Sequence, residues 1–336
     1  MFIVKKLFIA CALLTSMTVP AIAGVNIYSP SNSSYVSSPF TLSADASTCS
    51  SQTVSAMGYS LDNSTDTAIV NGTSVTASVG SGTGTHTVHV KAWGEKGSSC
   101  VTDVTVTVTA SNSVVPSNAA SVGNVQALGD WKASNDSAAG GSASGWMAIV
   151  NSPARTGSAR KFVTSFSDNG DERYQASFGD DTSSTNFVYD TWLYIPSSST
   201  NIANLEMDMN QVMSNGQTVI FGFQCDGWNG TWDYTANTGT AKKPIDTWVR
   251  SRQGCNPQSW SKNTWHHVQI KYSRNDSGFV TYESVWLDGR EQAINATVSS
   301  VFSLGWSPVL LTNFQVDGRG WGTNTVYMDD LIVSRW

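Results

Sequence analysis

Charged side chains are scarce in this sequence. Aspartate, glutamate, lysine and arginine together make up 13% of its 336 residues, and the formal net charge is −6. Nucleic acids and anionic lipids are bound chiefly through clustered basic side chains, which this acidic chain lacks, so we expect neither as a partner. The sequence also contains no G-x-S-x-G motif, no phosphate loop and no dinucleotide fingerprint, which argues against the enzyme classes that use them.

Long apolar runs are absent after the first 23 residues. That N-terminal segment carries Lys5 and Lys6 near its start, continues in an apolar run from Leu7 to Leu14 and ends in A-I-A at Ala23. This is the pattern of a secretory signal peptide, and the run is too short to cross a bilayer. We therefore expect residues 1–23 to be removed and the protein to be secreted, extracellular or at the cell surface, without membrane insertion.

Cysteine is rare as well, with five residues in the chain. Cys11 lies in the signal segment, and the remaining four can pair in three ways. No C-x-x-C occurs and the four histidines are not spaced as zinc ligands, so disulfides are favoured over a metal site. The pairing that keeps each bridge inside one predicted domain is Cys49–Cys100 and Cys225–Cys255.

Short polar residues and aromatics are abundant instead, which is typical of an exported β-protein. Residues 25–109 consist of short alternating runs, such as those at 86–93 and 104–109, separated by Ser, Gly and Asn turns. This spacing predicts an immunoglobulin-like sandwich. The segment also resembles the bacterial Ig-like modules of secreted and surface proteins, which implies a spacer without catalytic activity.

We place the domain boundaries by composition. The Ig-like domain is predicted at 24–110, a linker rich in Ser, Asn and Ala at 111–124, and a second domain at 125–336. The second domain shows no convincing helical period, so the whole chain is predicted to be all-β.

Three motifs of the second domain indicate its fold. Its strand W-H-H-V-Q-I-K-Y at 265–272 is followed by V-W-L-D-G-R at 285–290, and the chain closes on Y-M-D-D-L-I-V at 327–333. Together they resemble the concanavalin A-like lectin/glucanase superfamily, especially its laminin-G-like branch. The resemblance implies a jelly-roll β-sandwich. Within the first motif His266 and His267 point to opposite faces, so they are predicted to be structural and not to share one site.

The stretch N-L-E-M-D-M-N-Q at 204–211 carries the candidate chemistry. As a strand it places Glu206, Asp208 and Asn210 on one face and apolar side chains on the other. In laminarinase-type glycoside hydrolases of the superfamily the cleft strand reads E-x-D-x-E or E-x-D-x-x-E. The resemblance therefore implies Glu206 as nucleophile and Asp208 as supporting residue, but the acid/base position holds Asn210 or Gln211.

An amide cannot donate a catalytic proton near neutral pH, so hydrolysis would need another carboxylate. The candidates are Asp226, Asp233, Glu283 and Asp317. Legume-type lectins of the superfamily instead hold manganese and calcium through an E-x-D strand, but calcium needs six to eight oxygens and this strand supplies too few. We expect no cofactor and no metal, with calcium as an alternative. A third reading is that the row is an ordinary solvated strand face.

Tryptophans cluster just downstream. They are Trp228, Trp232, Trp248, Trp260 and Trp265, and most lie between Cys225 and Cys255. Flat aromatic faces beside amides and carboxylates suit sugars, which offer an apolar face and a rim of hydroxyl groups. We expect Trp228 and Trp232 to be exposed beside Asp226 and Asp233, and Trp265 and Trp248 to pack in the interior.

The leading prediction is a monomeric, exported protein that binds polysaccharide, a β-glucan or similar cell-wall glycan, on the concave face of a jelly roll. The binding residues are predicted to be Asn210, Gln211, Trp228, Trp232, Asp226 and Asp233. One alternative is a laminarinase-like glycoside hydrolase with Glu206 as nucleophile or base, and another is a non-catalytic surface or adhesion protein.

Overall fold

The computed structural model describes residues 24–109, 114–136 and 140–336. The predicted signal peptide and residues 111–113 of the predicted linker lie outside the described residues. Within them every regular element is a β-strand, apart from short 3-10 turns at Val125–Ala127 and Pro257–Ser259. The all-β prediction is therefore confirmed.

Nine strands in the described part of the first domain form an N-terminal sandwich. They are β1 (Asn26–Ser29), β2 (Ser34–Ser37), β3 (Phe40–Asp45), β4 (Thr48–Cys49), β5 (Gln52–Leu61), β6 (Ala68–Asn71), β7 (Ser74–Val79), β8 (Gly84–Gly94) and β9 (Ser99–Thr109). One sheet has the order β1-β3-β7 and the other β2-β9-β8-β5-β4, with β6 along β5. In β8 the buried Val88, Val90 and Ala92 alternate with half-buried polar side chains, which is the period of a strand with one face in the core.

The C-terminal domain is a larger sandwich of two sheets. Its strands are β10 (Ala120–Val122), β11 (Lys132–Asp136), β12 (Ser142–Val150), β13 (Ala159–Ser167), β14 (Asp171–Gly179), β15 (Asn186–Tyr194), β16 (Ile202–Val212), β17 (Thr218–Phe221), β18 (Phe223–Asp226), β19 (Thr231–Asn237), β20 (Asp246–Gly254), β21 (Trp265–Arg274), β22 (Phe279–Leu287), β23 (Arg290–Ser299), β24 (Val301–Phe302), β25 (Leu310–Gly318) and β26 (Gly322–Arg335).

The order of these strands decides which side chains become neighbours. The eight-stranded sheet runs β12-β13-β26-β15-β21-β22-β23, with β10 along β26, and the nine-stranded sheet runs β11-β14-β25-β16-β18-β19-β20, with β17 and β24 attached near β16. Strand β10 lies within the predicted linker, so that linker is shorter than expected: residues 120–122 pair with β26 in the C-terminal domain.

The core of this domain lies between the two sheets. Strand β16 contributes Leu205, Met207 and Met209, and β21 contributes Val268 and Ile270. The facing predicted for the 204–211 stretch is therefore confirmed, and the same two-residue period holds in β21. The outer faces of the two sheets carry the remaining side chains of each strand.

Both predicted disulfides form, Cys49–Cys100 within the N-terminal sandwich and Cys225–Cys255 within the C-terminal one. Disulfides together with a β-sandwich fold are typical of extracellular proteins. Across the described ranges, no helix is long and apolar enough to cross a membrane.

The N-terminal sandwich docks on the outer face of the eight-stranded sheet. The backbone N–H of Tyr35 donates to the carbonyl oxygen of Asp288 at 2.8 Å. Gly289 has φ +79°, and a Cβ there would lie 2.1 Å from the Tyr35 carbonyl oxygen, so this approach requires glycine. Trp265 is buried as predicted, but in this interface beside Tyr28 instead of in the main core. The outer face of the nine-stranded sheet is on the opposite side of the C-terminal domain.

Candidate functional site

Polar side chains cross the outer face of the nine-stranded sheet from strand to strand. Glu206 on β16 is in register with Gln315 on β25 and with Gln224 on β18. Arg173 on β14 lies opposite Gln315, and Asp233 on β19 lies opposite Gln224. Five neighbouring strands therefore contribute one continuous row of charged and amide groups centred on Glu206.

Two parallel rows flank this central one. On one side Asp317 is in register with Asp171, and Asn204 with Asp226. On the other side Asp208 is in register with Asn313. The three rows, together with Asn210 two residues beyond Asp208 on β16, form a single surface that we call the polar recess. Its members are Asp171, Arg173, Asn204, Glu206, Asp208, Asn210, Gln224, Asp226, Asp233, Asn313, Gln315 and Asp317.

The recess is strongly shielded from solvent although it lies on an outer face. Glu206 is 8% exposed and Asp208 7%, while the described strands of this domain form only two sheets and no third layer. The long side chains of the neighbouring rows, among them Gln315 and Gln224 on either side of Glu206, contribute to this shielding. The predicted row is therefore a sheltered polar site and not an ordinary solvated strand face.

Some amide oxygens of the recess have no hydrogen-bond partner in the protein. They belong to Asn210, Gln224 and Asn313. More than nine-tenths of buried polar groups in proteins are paired, and leaving one unpaired costs about 1–3 kcal/mol. These oxygens can accept hydrogen bonds from hydroxyl or amide donors of a ligand.

The side-chain amide of Gln315 donates hydrogen bonds to two carboxyl groups. Nε2 of Gln315 donates to Oε1 of Glu206 at 2.9 Å and to Oδ1 of Asp317 at 3.1 Å, so these two oxygens lie within about 6 Å of each other. Asp317 was one of four candidates for a second carboxylate, and it is the one that faces Glu206. Glu283 does not face Glu206, because it lies in the other sheet, where it pairs with Lys271 at 2.9 Å.

Burial makes these carboxyls weak acids. It raises the pKa of Asp317 to about 7, assisted by the charge of Asp171. It also raises the pKa of Asp208 to about 7, against the opposing hydrogen bond from the Phe223 N–H. The pKa of Glu206 lies well above its ordinary value, first because of burial and then because of Asp317 and Asp208. The recess therefore holds protons near neutral pH, as sites of acid–base chemistry commonly do.

Asp226 and Asp233 have different roles. Oδ1 of Asp226 accepts the backbone N–H groups of Trp228, at 2.7 Å, and Asn229, at 3.1 Å, so it shapes the loop between β18 and β19. Asp233 lies next to it and accepts from Thr231 Oγ1 at 2.6 Å. Burial raises the pKa of Asp233 to about 7, and a hydrogen bond with Asp226 adds to the effect. Both predicted residues lie in the recess, where they share a hydrogen bond.

The predicted aromatic border is only partly correct. Trp228 is 50% exposed, as expected, and the guanidinium of Arg319 stacks over its ring at 4.2 Å. Trp232 is fully buried, which makes its assignment to ligand binding wrong: it points inward from β19 and packs against Phe223, with ring centroids 5.4 Å apart. Trp248, expected in the interior, lies on the outer face of β20 and is exposed.

Gln211 is also excluded from the recess. It has the same parity as Met209 on β16 and therefore points away from Glu206, with no exposed surface. Its Oε1 accepts from Arg274 Nε at 2.6 Å, and its Nε2 donates to the carbonyl oxygens of Asp181 and Ser184. Both the amide oxygen and the amide nitrogen of Gln211 are therefore engaged inside the fold.

Sequence reasoning missed several recess residues. They are Asp171, Arg173, Asn204, Gln224, Asn313 and Gln315. In the T-N-F-Q-V-D run Asn313, Gln315 and Asp317 alternate with Phe314 and Val316, so these three could have been assigned to an outer face. The D-E-R-Y-Q run gives no such alternation, because Glu172 stands between Asp171 and Arg173. Nothing in the sequence showed that these faces adjoin. As for metals, the described residues contain no group of three or more His, Cys, Asp or Glu side chains placed to hold an ion.

No family model matches this chain, and no curated protein matches it either. Among solved structures, one of carbohydrate-binding modules of the β-sandwich superfamily is 13% identical, over 93% of this chain and 98% of that chain, with a TM-score of 0.33. β-Agarase A from Zobellia galactanivorans is 10% identical, over 61% and 92%, with a TM-score of 0.29. A family 7 alginate lyase, A1-II′, is 12% identical, over 54% and 79%, with a TM-score of 0.25. Likenesses this distant carry no argument about function.

Proposed function

We propose that this protein is an exported carbohydrate-binding protein whose C-terminal domain, a concanavalin A-like jelly roll, holds a polysaccharide in the polar recess. The observation that carries the proposal is the set of buried amide oxygens without partners on Asn210, Gln224 and Asn313. A sugar chain presents many hydroxyl donors along its length, and each such oxygen would gain a partner on binding. The exposed ring of Trp228 at one end of the recess offers an apolar surface for a sugar face.

The charge of the recess favours a neutral glycan, such as a β-glucan. Its acidic groups outnumber its one guanidinium, which belongs to Arg173 at the β14 end of the central row and also pairs with Asp136, so an ionised uronate or sulfate would be repelled. Carboxyls that hold protons can in addition donate hydrogen bonds to sugar oxygens.

Retention on a polysaccharide panel tests the proposal. We expect the wild-type protein to be retained on at least one neutral polysaccharide, and Gln224→Ala and Trp228→Ala each to bind about ten-fold more weakly, since a lost hydrogen bond or ring contact amounts to about 1–1.5 kcal/mol. Trp146→Ala is the matched control, because Trp146 is 53% exposed on β12 of the other sheet. Unchanged retention of both recess variants, or no retention of the wild type on any neutral polysaccharide, would remove the proposal.

A second candidate function, glycoside hydrolysis, is favoured by the shared contact of Glu206 and Asp317 with Gln315. The upper limit of about 6 Å on the distance between their oxygens is compatible with the roughly 5–5.5 Å of enzymes that retain anomeric configuration. Asp317 accepts from two amides, Gln315 and Asn204, whereas Glu206 accepts from Gln315. The better stabilised anion is then Asp317, which would be the nucleophile, with Glu206 as the acid. These roles reverse those implied by the family resemblance.

Release of reducing ends from the retained polysaccharide distinguishes catalysis from binding. Hydrolysis requires that Glu206→Gln and Asp317→Asn both abolish release while retention persists, and that the first product keeps the configuration of the substrate. A wild-type protein that is retained but releases no sugar would leave binding as the only function.

A further inference from the structure

A cavity lies between the two domains, on the side of the molecule opposite the polar recess. Its volume is about 730 Å³, within the range of small-molecule sites. Its floor is the outer face of the eight-stranded sheet, including Gln269 and Trp286, and its roof is the segment of the N-terminal sandwich around Ser34 and Tyr35. We call this cavity the inter-domain cleft.

Direct contacts between the two domains fix the positions of the cleft walls. The hydrogen bond from Tyr35 to Asp288 and the close approach at Gly289 join its roof to its floor at one end. A hydrogen bond from Ser31 Oγ to the Trp265 carbonyl oxygen, at 3.3 Å, adds a second point of attachment. A ligand would therefore enter a site whose walls are already in place, which lowers the entropic cost of binding.

Most charges that line the cleft lie in ion pairs; the exception is Glu291, whose Oε1 accepts from Ser284 Oγ at 2.7 Å. Arg155 contacts Asp330 at 2.6 Å, and Lys271 contacts Glu283 at 2.9 Å. Asp288 accepts from the ring of His266 at 2.8 Å. A strongly ionic ligand would have to break one of these pairs, so the electrostatics favour an uncharged ligand.

Two buried side chains that line the cleft carry polar atoms without partners. Ser34 and Arg155 are each 7% exposed, and neither Oγ of Ser34 nor Nε of Arg155 has a hydrogen-bond partner. Nε–H is a donor and the hydroxyl is both donor and acceptor, so a hydroxyl-bearing ligand would satisfy both. The half-buried ring of Trp286 adds an apolar surface beside them.

We propose that the inter-domain cleft is a second binding site, for a short neutral saccharide. An uncharged molecule with many hydroxyl groups and one apolar face matches the paired charges, the unpartnered Ser34 and Arg155 atoms and the Trp286 ring. This site does not depend on the polar recess, and the two lie on the outer faces of opposite sheets. A protein with both sites would bind two saccharide molecules at once.

Calorimetric titration of the full mature chain tests this inference. The probes are hexasaccharides of β-linked glucose, with an oligogalacturonate as the anionic control. We expect two sites in the wild type. Trp286→Ala should weaken one of them about ten-fold through loss of the ring contact, and Gln224→Ala in the recess should weaken only the other. Trp306→Ala, an exposed tryptophan that does not line the cleft, is the matched control.

Hydrogen–deuterium exchange gives an independent test of the cleft if Trp286→Ala folds poorly. Saturating hexasaccharide should slow exchange in residues 34–41 and 283–291, and Gln269→Ala should reduce that protection. Absence of protection with every neutral saccharide, or loss of all protection in Gln224→Ala, overturns the inference. If Gln224→Ala has no effect while Trp286→Ala loses binding, the cleft stands and the proposed function of the recess fails.

Discussion

Replacing Asp317 with asparagine should stabilise the protein above neutral pH. Asp317 is 8% exposed, and its carboxyl lies beside Glu206 and in register with Asp171. Burial raises its pKa to about 7, from an ordinary value of 3.8. The folded protein therefore holds a proton on Asp317 that the unfolded chain releases above about pH 4. Asparagine keeps an acceptor oxygen for Gln315 and removes the charge that the fold must otherwise accommodate.

The sign and size of the effect follow from this difference in pKa. Because the folded state binds the proton more tightly, the contribution of Asp317 to stability falls as the pH rises from about 4 to about 7, and it is lowest above that. The difference from 3.8 to about 7 corresponds to at most about 4 kcal/mol. The gain in Asp317→Asn should thus be near zero at pH 4 and should reach a few kcal/mol at pH 8, or roughly 10 °C in the melting temperature of a domain this size.

Thermal and urea unfolding between pH 4 and pH 9 measure this profile. Asp180→Asn, at an exposed position of the same domain, is the matched control and should leave the profile unchanged. The reasoning is refuted if the stability of Asp317→Asn follows that of the wild type in parallel from pH 5 to pH 8. It is also refuted if the variant is less stable at pH 8, since the charged carboxylate would then be stabilised by the fold.

Three further substitutions test other parts of the structure. Trp232→Ala should lower the free energy of unfolding by about 3–5 kcal/mol, because the ring is fully buried; a change below 1 kcal/mol in urea titration would contradict its place in the core. Gly289→Ala should weaken the docking of the two domains, since the new Cβ meets the carbonyl oxygen of Tyr35; small-angle scattering identical to the wild type would speak against that contact. Cys225→Ser should cost about 2–4 kcal/mol by opening the bridge to Cys255, and equal stability under non-reducing conditions would show that the bridge does not form.

Burying this acidic cluster lowers the stability of the fold, and that loss of stability supports a functional role for the cluster. Burial raises the pKa of Asp208 and that of Asp317 to about 7 and raises the pKa of Glu206 well above its ordinary value, so at pH 8 the fold bears the charges of Asp208 and Asp317 and shelters them from water. Apolar or amide side chains at these positions would give a more stable sheet. Sites that trade stability for reactive or binding groups in this way are commonly functional.

Local alternation was enough to predict several features from the sequence. Glu206, Asp208 and Asn210 on one face of β16, and Val268 and Ile270 on the inner face of β21, follow from the two-residue period of a strand. The same rule, applied consistently, would have removed Gln211 from the candidate site, because its parity is that of Met209. Trp232 was misplaced because a Gly- and Asn-rich context suggested a loop, whereas the residue lies in β19 and points inward.

The sequence by itself determined the all-β class and the polar face of β16, because each depends on residue spacing or composition along the chain. Together with the predicted domain boundary, it also favoured the pairing of the four cysteines that the structure shows. Tertiary structure decided that Asp317 and Gln315 from β25 and Gln224 from β18 lie beside Glu206. Strand order alone makes β25 a neighbour of β16, although about a hundred residues separate them. The tertiary structure also decided where the N-terminal sandwich docks, and this docking forms the inter-domain cleft. Such contacts arise from the packing of whole sheets, which leaves no periodic pattern in the sequence.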